Sequence, residues 1–194
     1  MRHILGIACV VLSGCAQQME IASSKLGEAQ ATLRLEAPEL AGYITVPLMT
    51  HKVVNVTLSR FPGCVNGAPR DEPDTELGKA TLTPKENGQS VTIPAGLELA
   101  IVAESDEYTG GGGYLCRMAV RFRSEPGRRY VLTFKPPPSI LTWEPGSIFS
   151  KRPSCKMTIR ELRQDGEAPV ASAHFAILED KGFWEGRKLN LCLP

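Results

Sequence analysis

Long hydrophobic runs are missing from this chain, aromatic residues are scarce, and neither sign of charge is in excess. The apolar run near the start, Ile4 to Leu12, has nine residues, against the roughly 20 that a membrane-spanning helix needs. No later segment is long or apolar enough, so a spanning helix is not expected. Aromatic residues make up 6% of the chain, while glycine and proline number 18 and 15. That balance suits short strands joined by tight turns better than a helical bundle. Basic and acidic residues number 22 and 21, for a formal net charge of +1. Nucleic-acid binders carry a basic footprint, so no nucleic-acid partner is expected.

Catalytic and metal-binding motifs are missing as well. There is no H-E-x-x-H and no Walker loop, and Ser90 in "ENGQSVT" lacks the glycine two residues on that a G-x-S-x-G elbow requires. Only His51 and His174 lie beyond the N-terminal segment to serve a hydrolase triad. From Cys64 onward successive cysteines are 52, 39 and 37 residues apart, which matches no zinc pattern. The acidic run Asp71, Glu72, Asp74, Glu76 is broken by proline and lacks the central glycine of a calcium loop, so it reads as a solvated loop. No enzyme activity, cofactor or metal is expected.

What is present begins at the N-terminus. Arg2 and His3 precede the apolar run and the small residues Ser13 and Gly14 follow it, as in a secretory signal. The quartet Leu12-Ser13-Gly14-Cys15 resembles the lipobox of bacterial lipoproteins at every position. The resemblance implies diacylglycerol transfer to the Cys15 sulfur, cleavage before Cys15 and acylation of the new N-terminus. One acyl chain holds a protein only marginally, whereas several anchor it firmly. In that family an aspartate after the cysteine commonly keeps the protein in the inner membrane. Here Ala16, Gln17 and Gln18 follow, which implies the outer membrane. Residues 1–14 are then a signal peptide, 15–30 a polar lipidated tether short of core residues, and 31–194 a periplasmic β domain. Loss of residues 1–14 removes Arg2 and brings the formal charge to about zero.

Cys64, Cys116, Cys155 and Cys192 remain, an even number that an oxidising compartment would pair. Four cysteines allow three connectivities, which sequence cannot separate. The pairing expected here is Cys64–Cys116 and Cys155–Cys192, each closing one half of the chain.

Most of the remaining sequence alternates with period two, the mark of half-buried strands. Val54, Val56 and Leu58 share one face, as do Leu97, Leu99, Ile101 and Ala103. In "YLCRMAVRFR" the inward set is Cys116, Met118, Val120 and Phe122, and the outward set is Arg117, Ala119, Arg121 and Arg123. Ser124-Glu125-Pro126-Gly127 is a turn by composition, and "RRYVLTF" follows with Tyr130, Leu132 and Phe134, so these two strands are expected to form a hairpin. Further strands are expected at 32–36, 43–48, 79–83, 90–93, 156–162 and 170–175, with Asp165-Gly166 as the turn between the last two. A helix could fit only in the tether region or at 176–183. "KPPPSILTWEPGS", Lys135 to Ser147, reads as a surface crossover because proline removes ladder donors. Eight or nine short strands make an all-β fold, an antiparallel β-sandwich or partly open barrel, stapled by disulfides.

Two places could bind a partner. "YTGGGGY" puts Tyr108 and Tyr114 around a glycine loop that strands flank, so it is a hairpin loop rather than a phosphate cradle, which needs a helix N-terminus. Arg117, Arg121 and Arg123 form a cationic row that could meet an acidic partner, or could pair with Glu98 and Glu104 of a neighbouring strand as a solvated face. Under either reading the alternation puts the row on the side that meets water, so Arg121→Glu is expected to cost little stability. Together with the lipobox, "EPGRRYVLTF" before a strand opened by Cys155 resembles small β-rich proteobacterial outer-membrane lipoproteins, a likeness that carries no functional residues across. The expectation is a lipid-anchored envelope scaffold, or secretion and assembly component, that binds a protein partner. An inhibitor or binder of a periplasmic enzyme or glycan is the alternative, with an envelope hydrolase behind both.

Overall fold

The computed structural model describes residues 17–43, 50–66, 68–70, 72, 75–109, 112–137, 155–177 and 191–192. Its strands are β1 (Gln30–Glu36), β2 (Thr50–Arg60), β3 (Cys64–Val65), β4 (Ala68–Pro69), β5 (Glu76–Leu82) and β6 (Gly88–Pro94), followed by β7 (Glu98–Thr109), β8 (Gly112–Arg123), β9 (Arg129–Lys135), β10 (Lys156–Arg163), β11 (Gly166–Pro169) and β12 (His174–Ile177). One sheet runs β11-β10-β9-β1-β6 and the other β12-β8-β7-β2-β5, while β3 and β4 form a separate ribbon. The two sheets pack as an all-β sandwich. All pairs are antiparallel except β1 with β9, which run parallel because the chain leaves and re-enters that sheet.

The period-two pattern carries the core. Val54, Val56 and Leu58 are buried, as are Leu99, Ile101 and Ala103 on β7 and Met118, Val120 and Phe122 on β8. From the other sheet Leu33, Leu35, Leu132 and Phe134 meet them. Phe122 and Tyr130 pack edge to face across the gap with ring centroids 5.2 Å apart. Leu97 departs from the expected inward set: it lies in the bend before β7 and is 39% exposed.

The expected hairpin across Ser124–Gly127 does not form. β8 belongs to one sheet and β9 to the other, so this turn carries the chain across the sandwich. Ser124, fully buried, fixes the crossing. Its hydroxyl donates to the Pro94 carbonyl at 2.8 Å, its N–H donates to the Leu97 carbonyl and its carbonyl accepts from the Gly96 N–H. That ties it to the 95–97 bend, which crosses between the sheets as well. The strand expected at 170–175 is also redistributed. Asp165-Gly166 closes a tight β10–β11 hairpin, and 170–173 turn the chain into β12 on the opposite sheet. Residues 176 and 177 end β12, so no helix begins there. The rest of that expected helix, residues 44–48 of the expected early strand and most of the Lys135–Ser147 crossover lie outside the described residues. The ladder also holds more strands than expected, through β3, β4 and the division of the final segment.

The N-terminal segment is not a free tether. Gln17 bridges to Thr81 of β5, and Met19 is 5% exposed within the main core. One four-residue helix, Ser23–Leu26, follows. The polarity of 15–30 reads as a tether, but Met19 packs into the core beside β5 and its backbone is held by Gln89 of β6, which docks the segment. Among the described residues the folded unit starts at 17, not 31.

Candidate functional site

The disulfides pair differently from the expectation: Cys64 with Cys192, and Cys116 with Cys155. Cys64 lies at the outer face of β8, beside Arg121, whereas Cys116 is five residues along that strand on the opposite face, so the two sulfurs cannot meet. Instead Cys116 faces inward on β8 and meets Cys155, which opens β10 in the facing sheet. The Cys64–Cys192 bond holds Leu191 and Cys192 against the outer face of the β7–β8 hairpin. There Leu191 joins Phe61, Ala100 and Ala119 in a second apolar cluster. Ala119 was expected to face water, yet it is fully buried under this cover.

The cationic row is engaged within the protein. Arg117 Nε lies 3.4 Å from Glu104 Oε2, its register partner on β7. Arg121 Nε lies 3.9 Å from Glu98, and its side chain is only 17% exposed. Its guanidinium sits 5.3 Å from the centre of the Phe61 ring, and Nη1 approaches the Cys64 sulfur at 3.7 Å. Arg123 donates to the Gly96 carbonyl at 3.4 Å. Glu98 and Glu104 therefore serve as the row's partners, the solvated-face alternative of the sequence, but Arg121 is a covered residue rather than a surface one. Tyr108 and Tyr114 occupy adjacent rungs of the β7–β8 ladder, opposite Gly113 and Glu107 respectively. Gly110 and Gly111 between the strands lie outside the described residues, as does Cys15.

A groove of about 270 Å³ lies beside this face, lined by Arg60, Phe61, Pro62, Glu72, Thr75, Leu97 and Glu98. His51 and His174 stand on β2 and β12, separated by β7 and β8, so no triad can use both. Among the described residues no cluster of His, Cys, Asp and Glu could hold a metal ion.

Two ionic clusters sit at inward positions that the sequence reading missed. At one end of the core Lys52 Nζ lies 3.1 Å from Glu107 Oε2, the two side chains being 5% and 1% exposed. Lys52 also donates to the Pro137 carbonyl at 2.6 Å and lies 5.6 Å from the centre of the Tyr43 ring. The Tyr43 hydroxyl donates to Glu107 Oε1 at 3.4 Å. Ser105, two rungs inward between Val54 and Cys116, is fully buried, and its hydroxyl has no partner among the described residues. The signal was present in the alternation: 52 has the phase of 54, 56 and 58, and 105 and 107 have that of 99, 101 and 103.

At the other end Glu161 Oε2 accepts from both Nε and Nη2 of Arg163, at 3.0 and 2.8 Å, and Oε1 forms an ion pair with Arg128 Nη1 at 2.9 Å. The Glu161 carboxylate holds the Arg163 guanidinium even more firmly protonated than usual. Beside it the Tyr130 hydroxyl accepts the Glu125 N–H at 2.9 Å. Burial pushes the Tyr130 phenol up, outweighing the opposite pull of that hydrogen bond. Each cluster ties strands to a loop, Lys52 and Glu107 of β2 and β7 to Pro137, and Glu161 of β10 to Arg128, which suits fixing strand register and loop position.

Comparison with protein-family models, curated proteins and solved structures finds no match to this chain.

Proposed function

We propose that the chain is an outer-membrane lipoprotein whose disulfide-bonded sandwich faces the periplasm and binds an envelope protein, without carrying out a reaction of its own. The observation that carries this reading is the run from Arg2 to Cys15: basic residues, nine apolar residues and the quartet Leu12-Ser13-Gly14-Cys15. Its consistency with two disulfides is a second support, since paired cysteines belong to oxidising compartments. The two inward ionic clusters tie strands to neighbouring loops, which suits a rigid scaffold.

Metabolic labelling with palmitate tests the anchor. The wild-type chain takes up label and fractionates with outer membranes, and Cys15→Ser takes up none. Labelling of Cys15→Ser at the wild-type level would overturn the reading. Crosslinking in intact cells then tests the binding role: a reproducible adduct with one envelope protein is expected, and a chain that crosslinks to nothing under saturating conditions would argue against it.

A further inference from the structure

The route of residues 17–26 determines how an anchored sandwich would stand on its membrane. Gln17 accepts the Thr81 N–H at 2.9 Å. Met19 donates its N–H to Gln89 Oε1 at 2.8 Å and buries its side chain in the core. Lys25 Nζ donates to the Glu76 carbonyl at 2.9 Å. The segment thus runs along the free edge of β5 and bridges to β6, closing that side of the sandwich. Gly78 is the matching concession on β5: a Cβ there would fall 3.0 Å from Met19 Cγ and 3.1 Å from the Glu20 carbonyl oxygen.

We infer that this edge, the docked 17–21 segment with β5 and the 83–87 bend beside it, is a bilayer-facing surface. The inference rests on the lipoprotein reading and adds orientation to it. Two residue steps separate Cys15 from Gln17, a reach of at most about 7 Å. Acyl chains on Cys15 would therefore keep the β5 edge close to the phospholipid headgroups. Each sheet has five strands, so the β11–β12 side lies about 19 Å farther from that edge, at about 4.8 Å per strand gap. Charges along the edge are mixed, with Lys79 paired to Glu76 at 2.8 Å. The surface therefore requires no anionic lipid, and a zwitterionic bilayer suffices.

The test uses the full lipidated protein in phosphatidylcholine vesicles that carry a nitroxide-headgroup lipid. The four later cysteines are in disulfides and an acylated Cys15 is blocked, so one introduced cysteine takes one fluorophore. Lys79→Cys on β5 and Glu167→Cys on β11 replace exposed side chains at opposite sides of the sandwich. Quenching several-fold stronger at 79 than at 167 is expected. A flexible Gly–Ser insert of about 15 residues between Ala16 and Gln17, spanning roughly 20 Å, should abolish the difference while leaving the folded part untouched. Equal quenching at the two positions without the insert would overturn the orientation, as would a difference that survives the insert. Failure of the protein to float with vesicles would instead overturn the anchor itself, and the orientation with it.

Discussion

Lys52 and Glu107 face each other across the β2–β7 ladder, 3.1 Å apart and almost wholly out of water. Removing one member leaves a buried charge without its partner, which costs about 3–5 kcal/mol. Lys52→Met and Glu107→Leu should each lower stability by that order in denaturant unfolding. The double variant, which leaves neither charge behind, should recover most of the loss. A single variant within 1 kcal/mol of wild type, on that same scale, would show that the pair is not structurally coupled.

Ser105 makes a contrary prediction. A buried hydroxyl without a partner costs roughly 1–3 kcal/mol, and alanine removes it with little change of volume. Ser105→Ala should leave the unfolding midpoint unchanged or raise it. A clear loss of stability would reveal a partner for the hydroxyl.

The two disulfides should respond differently to a limiting dithiol reductant. Cys64 is exposed, whereas Cys155 is 4% exposed inside the core. Thiolate attack needs access to sulfur, so Cys64–Cys192 should open first in differential alkylation. The closed loops span 128 and 39 residues, worth about 5 and about 4 kcal/mol in the chain-entropy model. Reduction of Cys116–Cys155 first, or peptides linking Cys64 to Cys116, would contradict the pairing described here.

Arg121 should behave as a packed residue. Arg121→Glu sets a carboxylate beside Glu98 and removes the cation from the Phe61 ring, so it should cost about 1–3 kcal/mol. Arg160→Glu, at an exposed site on β10, should stay within about 0.5 kcal/mol. Equal small losses in both, read by thermal melts, would restore the view of Arg121 as a solvated surface charge.

Tyr130 links stability to alkaline pH. Its phenol titrates higher in the folded protein than in the unfolded chain, because burial disfavours the phenolate. Above the ordinary tyrosine range, about pH 10, the unfolded chain loses its proton first, so folding loses stability as pH rises from there to the folded value; below that range the contribution is complete. Tyr130→Phe should cost about 1 kcal/mol at neutral pH through the lost hydrogen bond to Glu125, and its stability should fall less steeply above pH 10. Parallel pH profiles for the two proteins would remove Tyr130 as the source.

The alternation of Val54, Val56 and Leu58, and of Met118, Val120 and Phe122, was enough to establish an all-β chain and the inward face of its strands, because side chains on a strand project with period two whatever the partners. The even cysteine count likewise implied disulfides. Partner choice was not legible there. "SEPG" has the composition of a hairpin turn, and only the buried Ser124, tied to the 95–97 bend, decides that the chain crosses to the other sheet. The same nonlocality decides that Cys116 meets Cys155, that Ala119 is covered by Leu191, and that Met19 docks a segment that reads as linker. Local pattern records which face of a strand is apolar; which apolar face it meets, and whether Arg121 sees water or Phe61, depends on contacts between residues far apart in sequence, and those exist only once the two sheets have packed.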